Sequence, residues 1–152
     1  MGKLPAKPSA PSLPCLCATI RRAARALTQS YEDALRPVGL RSSQFTILQA
    51  LSLTGELTQG ELGRILAMDS TTLTRTLKIM DRHHWVAKRP GKDRREWRLT
   101  LARAGQIQFQ RARPHWEKVQ SQVRDRIGER WDQLMKLTNE VTNAATEQGE
   151  LS

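Results

Sequence analysis

Between Ser70 and Leu101 the hydrophobic period of the chain switches from helical to alternating, and this switch restricts the fold more than any other feature. Leu73, Leu77 and Met80 recur at three- and four-residue spacing, so a helix opening behind Asp69 and running to about His83 buries them along one side. The opposite side then carries Thr71, Thr74, Arg75 and Lys78. Asp69 can cap this helix by accepting from the free amides of its first turn. Val86 to Arg89 and Glu96 to Leu101 follow around a Pro90-Gly91 turn. In the second segment Trp97, Leu99 and Leu101 alternate with Glu96, Arg98 and Thr100, which predicts a β-hairpin with a basic tip.

The remaining elements are helical. Cys15 to Leu35 contains no Pro or Gly, and Ile20, Ala23, Ala24, Leu27, Tyr31 and Leu35 fall at helical spacing, predicting a first helix ended by Pro37 and Gly39. A second is expected from about Ser42 to Leu53, with Phe45, Leu48 and Leu51 inward and Gly55 as its stop. Thr58 and Glu61 form a capping box for a short third helix through Leu62 to Leu66. After the hairpin, a long helix is expected from about Ala104 to Ile127, its stripe of Ala112, Trp116, Val119, Val123 and Ile127 interrupted by Pro114. A last helix, about Glu129 to Ala145, carries Trp131, Leu134, Leu137 and Val141. These two stripes exceed what one small lobe covers, so both are read as association helices. The expected organisation is a flexible Pro-rich tail at 1–14, a dimerisation helix and linker at 15–41, a DNA-binding lobe at 42–101, and dimerisation helices with a tail at 102–152.

With 152 residues, 38% hydrophobic and 26% charged, the composition suits one folded domain and excludes collagen-like, mucin-like and coiled-coil-only chains. No apolar run approaches the roughly 18 to 20 residues that span a bilayer, and no signal-peptide-like apolar segment is present, so a cytoplasmic protein is expected. The net charge is +10. Arg82, Lys88, Arg89, Lys92, Arg94, Arg95 and Arg98, against Asp93 and Glu96, put +5 of it around the hairpin. A charge run alone is as often a solvated face as a binding site. Its position directly after a hydroxyl-rich helix favours binding.

Short helix, tight turn, second helix with a polar outer face, then a basic hairpin: this is the order of a winged helix-turn-helix, mainly α with a small β wing. The chemistry suits duplex DNA. Ser70, Thr71 and Thr74 are short enough to let a helix lie deep in the major groove, Arg75 can reach a guanine edge or a phosphate, and Lys78 lies on the same face. Lys92, Arg94 and Arg95 at the tip of the wing complete the expected DNA contacts. The four tryptophans, at 85, 97, 116 and 131, are assigned to packing.

Over roughly Cys15 to Ala145 the sequence resembles the MarR (multiple-antibiotic-resistance regulator) family of bacterial transcription regulators. The resemblance is carried by Gly39-Leu40, Gln44-Phe45, Leu62-Gly63, the run Asp69 to Arg75, Trp85-Val86, Asp93-Arg94-Arg95 and Leu101 to Gly105. It implies a dimer whose first and last helices interdigitate, acting on a pseudo-palindromic operator, most simply as a repressor. It also implies a wing braced by Asp93 and Arg95 that presents arginine to the minor groove, and admits a small lipophilic or phenolic effector. Two positions depart from the family pattern. His84 stands where many relatives have glycine, and a left-handed turn there is expected to cost about 1 kcal/mol. Ala102 stands where a threonine usually caps the next helix, a loss on the order of 1 kcal/mol.

Cys17 lies in the first turns of the first helix, where the macrodipole and Arg21 favour thiolate. Together with Tyr31 it matches the organic-hydroperoxide-sensing branch of the family, although Arg21 occupies the place of a second tyrosine; the alternative is a packed small side chain. Cys15 points to another side of the helix, so an intrahelical disulfide is geometrically poor. Neither these cysteines nor His83, His84 and His115 have the spacing of a zinc site, and no phosphate loop or nucleophile elbow is visible, so neither cofactor nor enzyme activity is expected. The competing class is a winged-helix module for protein contacts without specific DNA readout.

Overall fold

The structure, a computed structural model, is described for residues 13–147. The Pro-rich tail expected at 1–14 lies outside them except for Leu13 and Pro14. Helix α1 (Leu16–Leu35) leads through a 3-10 turn (Arg36–Val38) to α2 (Ser42–Thr54), strand β1 (Glu56–Thr58), α3 (Gln59–Leu66) and α4 (Ser70–Arg82). Strands β2 (Val86–Pro90) and β3 (Trp97–Leu101) form the hairpin, and α5 (Arg103–Ile127), a second 3-10 turn (Gly128–Arg130) and α6 (Trp131–Glu147) complete the chain. β1 was not anticipated. Three residues are too short to show a period, yet they pair antiparallel with β3, giving the sheet order β1-β3-β2.

The core forms where the expected inner faces converge. Phe45, Leu48 and Leu51 of α2, Leu62 of α3, and Leu73, Leu77 and Met80 of α4 are buried with Leu99 of β3. Each of the two short helices is closed by side chains and backbone. Thr58 Oγ1 accepts from the Glu61 amide at 3.1 Å while the Thr58 amide donates to Glu61 at 2.7 Å, the reciprocal box read from the sequence. Helix α4 ends with Trp85 N donating to the Met80 carbonyl and His84 N to that of Asp81, a Schellman motif in which His84 takes the left-handed position at φ 55°. The strain foreseen at His84 is therefore present.

Helix α5 starts at Arg103 without a side-chain cap. The entry is fixed instead by the Ala102 amide, which donates to the Trp85 carbonyl at 3.1 Å. Gly105 makes this approach possible, because a Cβ there would sit 2.0 Å from the same carbonyl oxygen. The helix continues through Pro114, whose missing N–H leaves the Gln110 carbonyl without its usual donor.

Two packing assignments are corrected. Ala112 and Val119 of α5 are buried, and Trp116 stacks on Phe45 at 5.6 Å, so the first half of that stripe belongs to the protein's own core rather than to an association surface. On α1, read as a dimerisation helix, Leu35 is the buried member of the spaced apolar residues, Tyr31 is half-buried and Leu27 is 42% exposed. Trp97, expected to pack, is 47% exposed on the wing, beyond the reach of the core that covers Leu99. Helix α6 buries no residue at all among those described.

Candidate nucleic-acid interface

The outer face of α4 is built as its spacing requires. Asp69 takes the amide of Thr72 at 2.9 Å and also its hydroxyl; the hydroxyl and then the amide hold its carboxyl below the ordinary aspartate range. A carboxylate fixed at this end aligns the first turn, and Ser70, Thr71, Thr74, Arg75 and Lys78 are all exposed on the helix behind it. One contact was missed in the sequence: Gln59, the first residue of α3, donates through Nε2 to Thr74 Oγ1 at 2.9 Å. It ties the two helices at the surface where bases would be read. Its only signal was a polar residue directly behind the capping Thr58.

The wing tip is folded around Asp93. Its carboxylate accepts from the Arg95 amide at 3.0 Å, its carbonyl accepts from Glu96 N at 2.9 Å, and Gly91 N donates to the Glu96 carbonyl at 2.7 Å. Asp93 thus shapes the turn through the backbone of Arg95, and no ion pair between their side chains occurs among the described residues. Lys92, Arg94 and Arg95 are exposed. Within the hairpin strands two of the cations are already engaged: Glu56 of β1 takes Arg89 through two bonds of 2.8 Å and Arg98 through one of 3.0 Å. Arg89, foremost, and Arg98 hold the Glu56 carboxyl below its usual range. Counting Glu56 with the hairpin reduces its local surplus from +5 to +4.

Residues 38–96, which span α2 to the wing tip, match the model of the MarR family. A crystal structure of the transcriptional regulator MosR of M. tuberculosis in complex with DNA superposes with a TM-score of 0.80 at 38% identity, covering 88% of this chain and 97% of that one. The chain belongs to the MarR family. Among other relatives, an uncharacterized HTH-type transcriptional regulator of Bacillus subtilis, YwoH, is 33% identical over 91 residues, which is 60% of this chain and 66%, just under two thirds, of YwoH. A mutant E. coli MarR complexed with operator DNA shares the fold, with a TM-score of 0.71 at 19% identity over 85% of this chain and 92% of its own. The winged helix-turn-helix architecture is that of MarR-family regulators, not of an enzyme.

The cysteines of this MarR-family chain stand in the open. Cys15 precedes the first turn of α1 and Cys17 lies within it, both exposed, so the chain itself gives Cys17 no packed environment. Tyr31 lies fourteen residues on along the same helix, a rise of about 21 Å, so the two side chains can meet only between two chains. The Tyr31 hydroxyl bonds to Gln120 of α5, and its partial burial raises its pKa above the usual phenol value. Among the described residues no group of three or more His, Cys, Asp or Glu is placed to hold a metal ion, and no helix is long and apolar enough to cross a membrane.

Proposed function

We propose that the protein is a cytoplasmic, homodimeric transcription regulator that binds a pseudo-palindromic duplex operator as a repressor and is released by a small-molecule effector or by thiol oxidation. The observation that carries the reading is the joint exposure of the hydroxyl and cation face of α4 and of the basic tip of the wing. Major-groove readout with a flanking minor-groove arm needs that pair of surfaces. A protein-contact module does not require a hydroxyl and cation face to be paired with a basic wing tip in this way. Selection of bound duplexes from a random pool tests the reading directly, and recovery of no symmetric site would refute it.

Within that reading the residues have different tasks. Arg75→Ala is expected to cost roughly 1 to 3 kcal/mol on the selected operator and to relax preference at one position in each half-site. Arg95→Ala should weaken binding to many sequences alike and flatten the dependence on salt. Titrations at several salt concentrations separate the two, and parent-like binding by both variants would mean that the DNA face is misassigned.

Release requires a route from the first helix to the lobe. Glu32 of α1 supplies one, because its carboxylate accepts from the Ser42 amide and hydroxyl, both at 2.8 Å, at the start of α2. Burial opposes its charge, but Ser42 and Arg41 outweigh that and keep its pKa low. Between α1, α2, α5 and α6 an open groove of about 780 Å³ is lined by Leu27, Tyr31, Phe45, Trp116 and Met135 on one hand and by Thr28, Glu32 and Gln120 on the other, a mixed wall suited to an effector with an apolar body and a polar group. Oxidation of Cys17 to sulfenic acid would act on the same helix from its other end. Under organic hydroperoxide the parent and Cys15→Ser are expected to lose operator affinity and Cys17→Ser to keep it. Unchanged binding by the parent at full thiol oxidation would assign release to the groove alone.

A further inference from the structure

We infer that Glu56 is a specificity-determining residue: it withholds the guanidiniums of Arg89 and Arg98 from the DNA backbone and locks the wing to β1, the strand that leads into the helix-turn-helix. The inference rests on the DNA-binding reading above. Its starting point is the register of the hairpin, in which Arg89 stands directly opposite Arg98. Like charges directly across an antiparallel pair repel and loosen it. Leu99, next to Arg98, faces the core, so both arginines lie on the outer face of the sheet.

Glu56 answers that repulsion from the third strand. It pairs with Thr100 in the register, one step diagonal from Arg98, and its side chain reaches across β3 to grip Arg89 in a two-pronged bond while also holding Arg98. Glu96 approaches Arg98 from the other side at 3.4 Å. One carboxylate therefore joins all three strands, and the wing cannot swing without breaking three charge-assisted bonds. The same bonds have a second effect. Phosphate contacts bind any sequence, and each added one steepens the salt dependence by about 0.9 in log K against log salt. A wing presenting all its arginines would hold random DNA as firmly as it helped hold an operator. With Arg89 and Arg98 engaged, the contribution of the wing is confined to its tip.

The test compares the full-length parent, Glu56→Gln, and the triple variant Glu56→Gln, Arg89→Gln, Arg98→Gln. Each is eluted from heparin resin with salt and titrated with a random-sequence duplex and with the operator selected from a random pool. Glu56→Gln is expected to elute later than the parent and to bind random duplex about tenfold tighter at low salt, with a slope steeper by one to two phosphate contacts. Operator affinity should gain less, so the ratio of specific to non-specific binding falls. The triple variant should return to the slope of the parent. Elution of Glu56→Gln at or before the parent, or an unchanged specificity ratio, would overturn the inference. So would a triple variant that loses slope as Arg95→Ala does, because Arg89 and Arg98 would then already be touching phosphate. Should the parent show no salt-dependent affinity for any duplex, the DNA-binding reading fails, and heparin elution alone decides whether Glu56 restrains the two guanidiniums.

Discussion

Gly105→Ala is expected to destabilise the protein by about 3 kcal/mol, the upper end of what overpacking costs. The usual rule runs the other way, since alanine in a helix interior is favoured over glycine by roughly 1 kcal/mol. The sign reverses here because the added Cβ would lie 2.0 Å from the Trp85 carbonyl oxygen and 2.8 Å from its carbon. Both are backbone atoms, and the oxygen is already held by the Ala102 amide, so neither can turn aside as a flexible side chain would. Helix α5 must tilt off the start of β2, or Trp85 must leave the core. Gly60→Ala in α3 is the control: its nearest neighbour would be Thr58 Oγ1 at 4.0 Å, so the helix-propensity gain should survive. Urea or thermal denaturation at fixed protein concentration should separate the two by sign. Equal stability of Gly105→Ala and parent would mean that α5 does not sit on Trp85 as described.

Removing Glu129 to Ser152 is expected to abolish both solubility and tight DNA binding. Helix α6 buries nothing within the described chain, and Leu134, Met135 and Leu137 are 40%, 45% and 49% exposed. Leu16 and Leu27 on α1 are open as well. An amphipathic helix with a dry face and no cover needs a partner, and the partner that every molecule has is a second copy. Such obligate interfaces bury on the order of 2,000 Å² or more. Without α6 the apolar residues of α1 and the far half of α5 would face water, which predicts aggregation. Joining two lobes on one duplex raises affinity by roughly 10² to 10⁴, so any soluble truncated protein should lose a comparable factor on the operator. Sedimentation of the intact chain as a folded monomer at micromolar concentration would contradict this account.

The readable parts of the chain were those governed by period and by short-range caps. The inner face of α4, its Asp69 cap, the Thr58 and Glu61 box and the hairpin follow from residues within four positions of one another, and they lie where their spacing puts them. What the sequence concealed depends on contacts between distant residues. β1 exists because β3 offers it an edge. Glu56 meets Arg89 thirty-three positions away, and Gln59 meets Thr74 across a turn, so neither carries a local signature. Trp116 and Val119 read as interface because hydrophobic spacing shows which residues seek cover, not whether the cover is the same chain or another. Leu27 on α1 shows the converse: right spacing, no cover within the chain.

Helix α5 also has a mechanical meaning. Its first turns are fastened into the lobe by Gly105, Gln108 and Ala112, all buried, with Gln108 donating to the Val38 carbonyl at 2.6 Å, while its last turns run toward α6. A 25-residue helix is about 37 Å long. It therefore works as a lever with the lobe clamped to one end. A tilt of roughly 5° at the far end displaces the lobe by about 3 Å over that length, close to the rise of one base pair in DNA. In a dimer, two such levers turning in opposite senses would carry the two α4 helices out of step with successive major grooves while every hydrogen bond inside each lobe stayed intact. Regulation on this design needs no unfolding and no new contact at the DNA face, only a change of angle where the two chains meet.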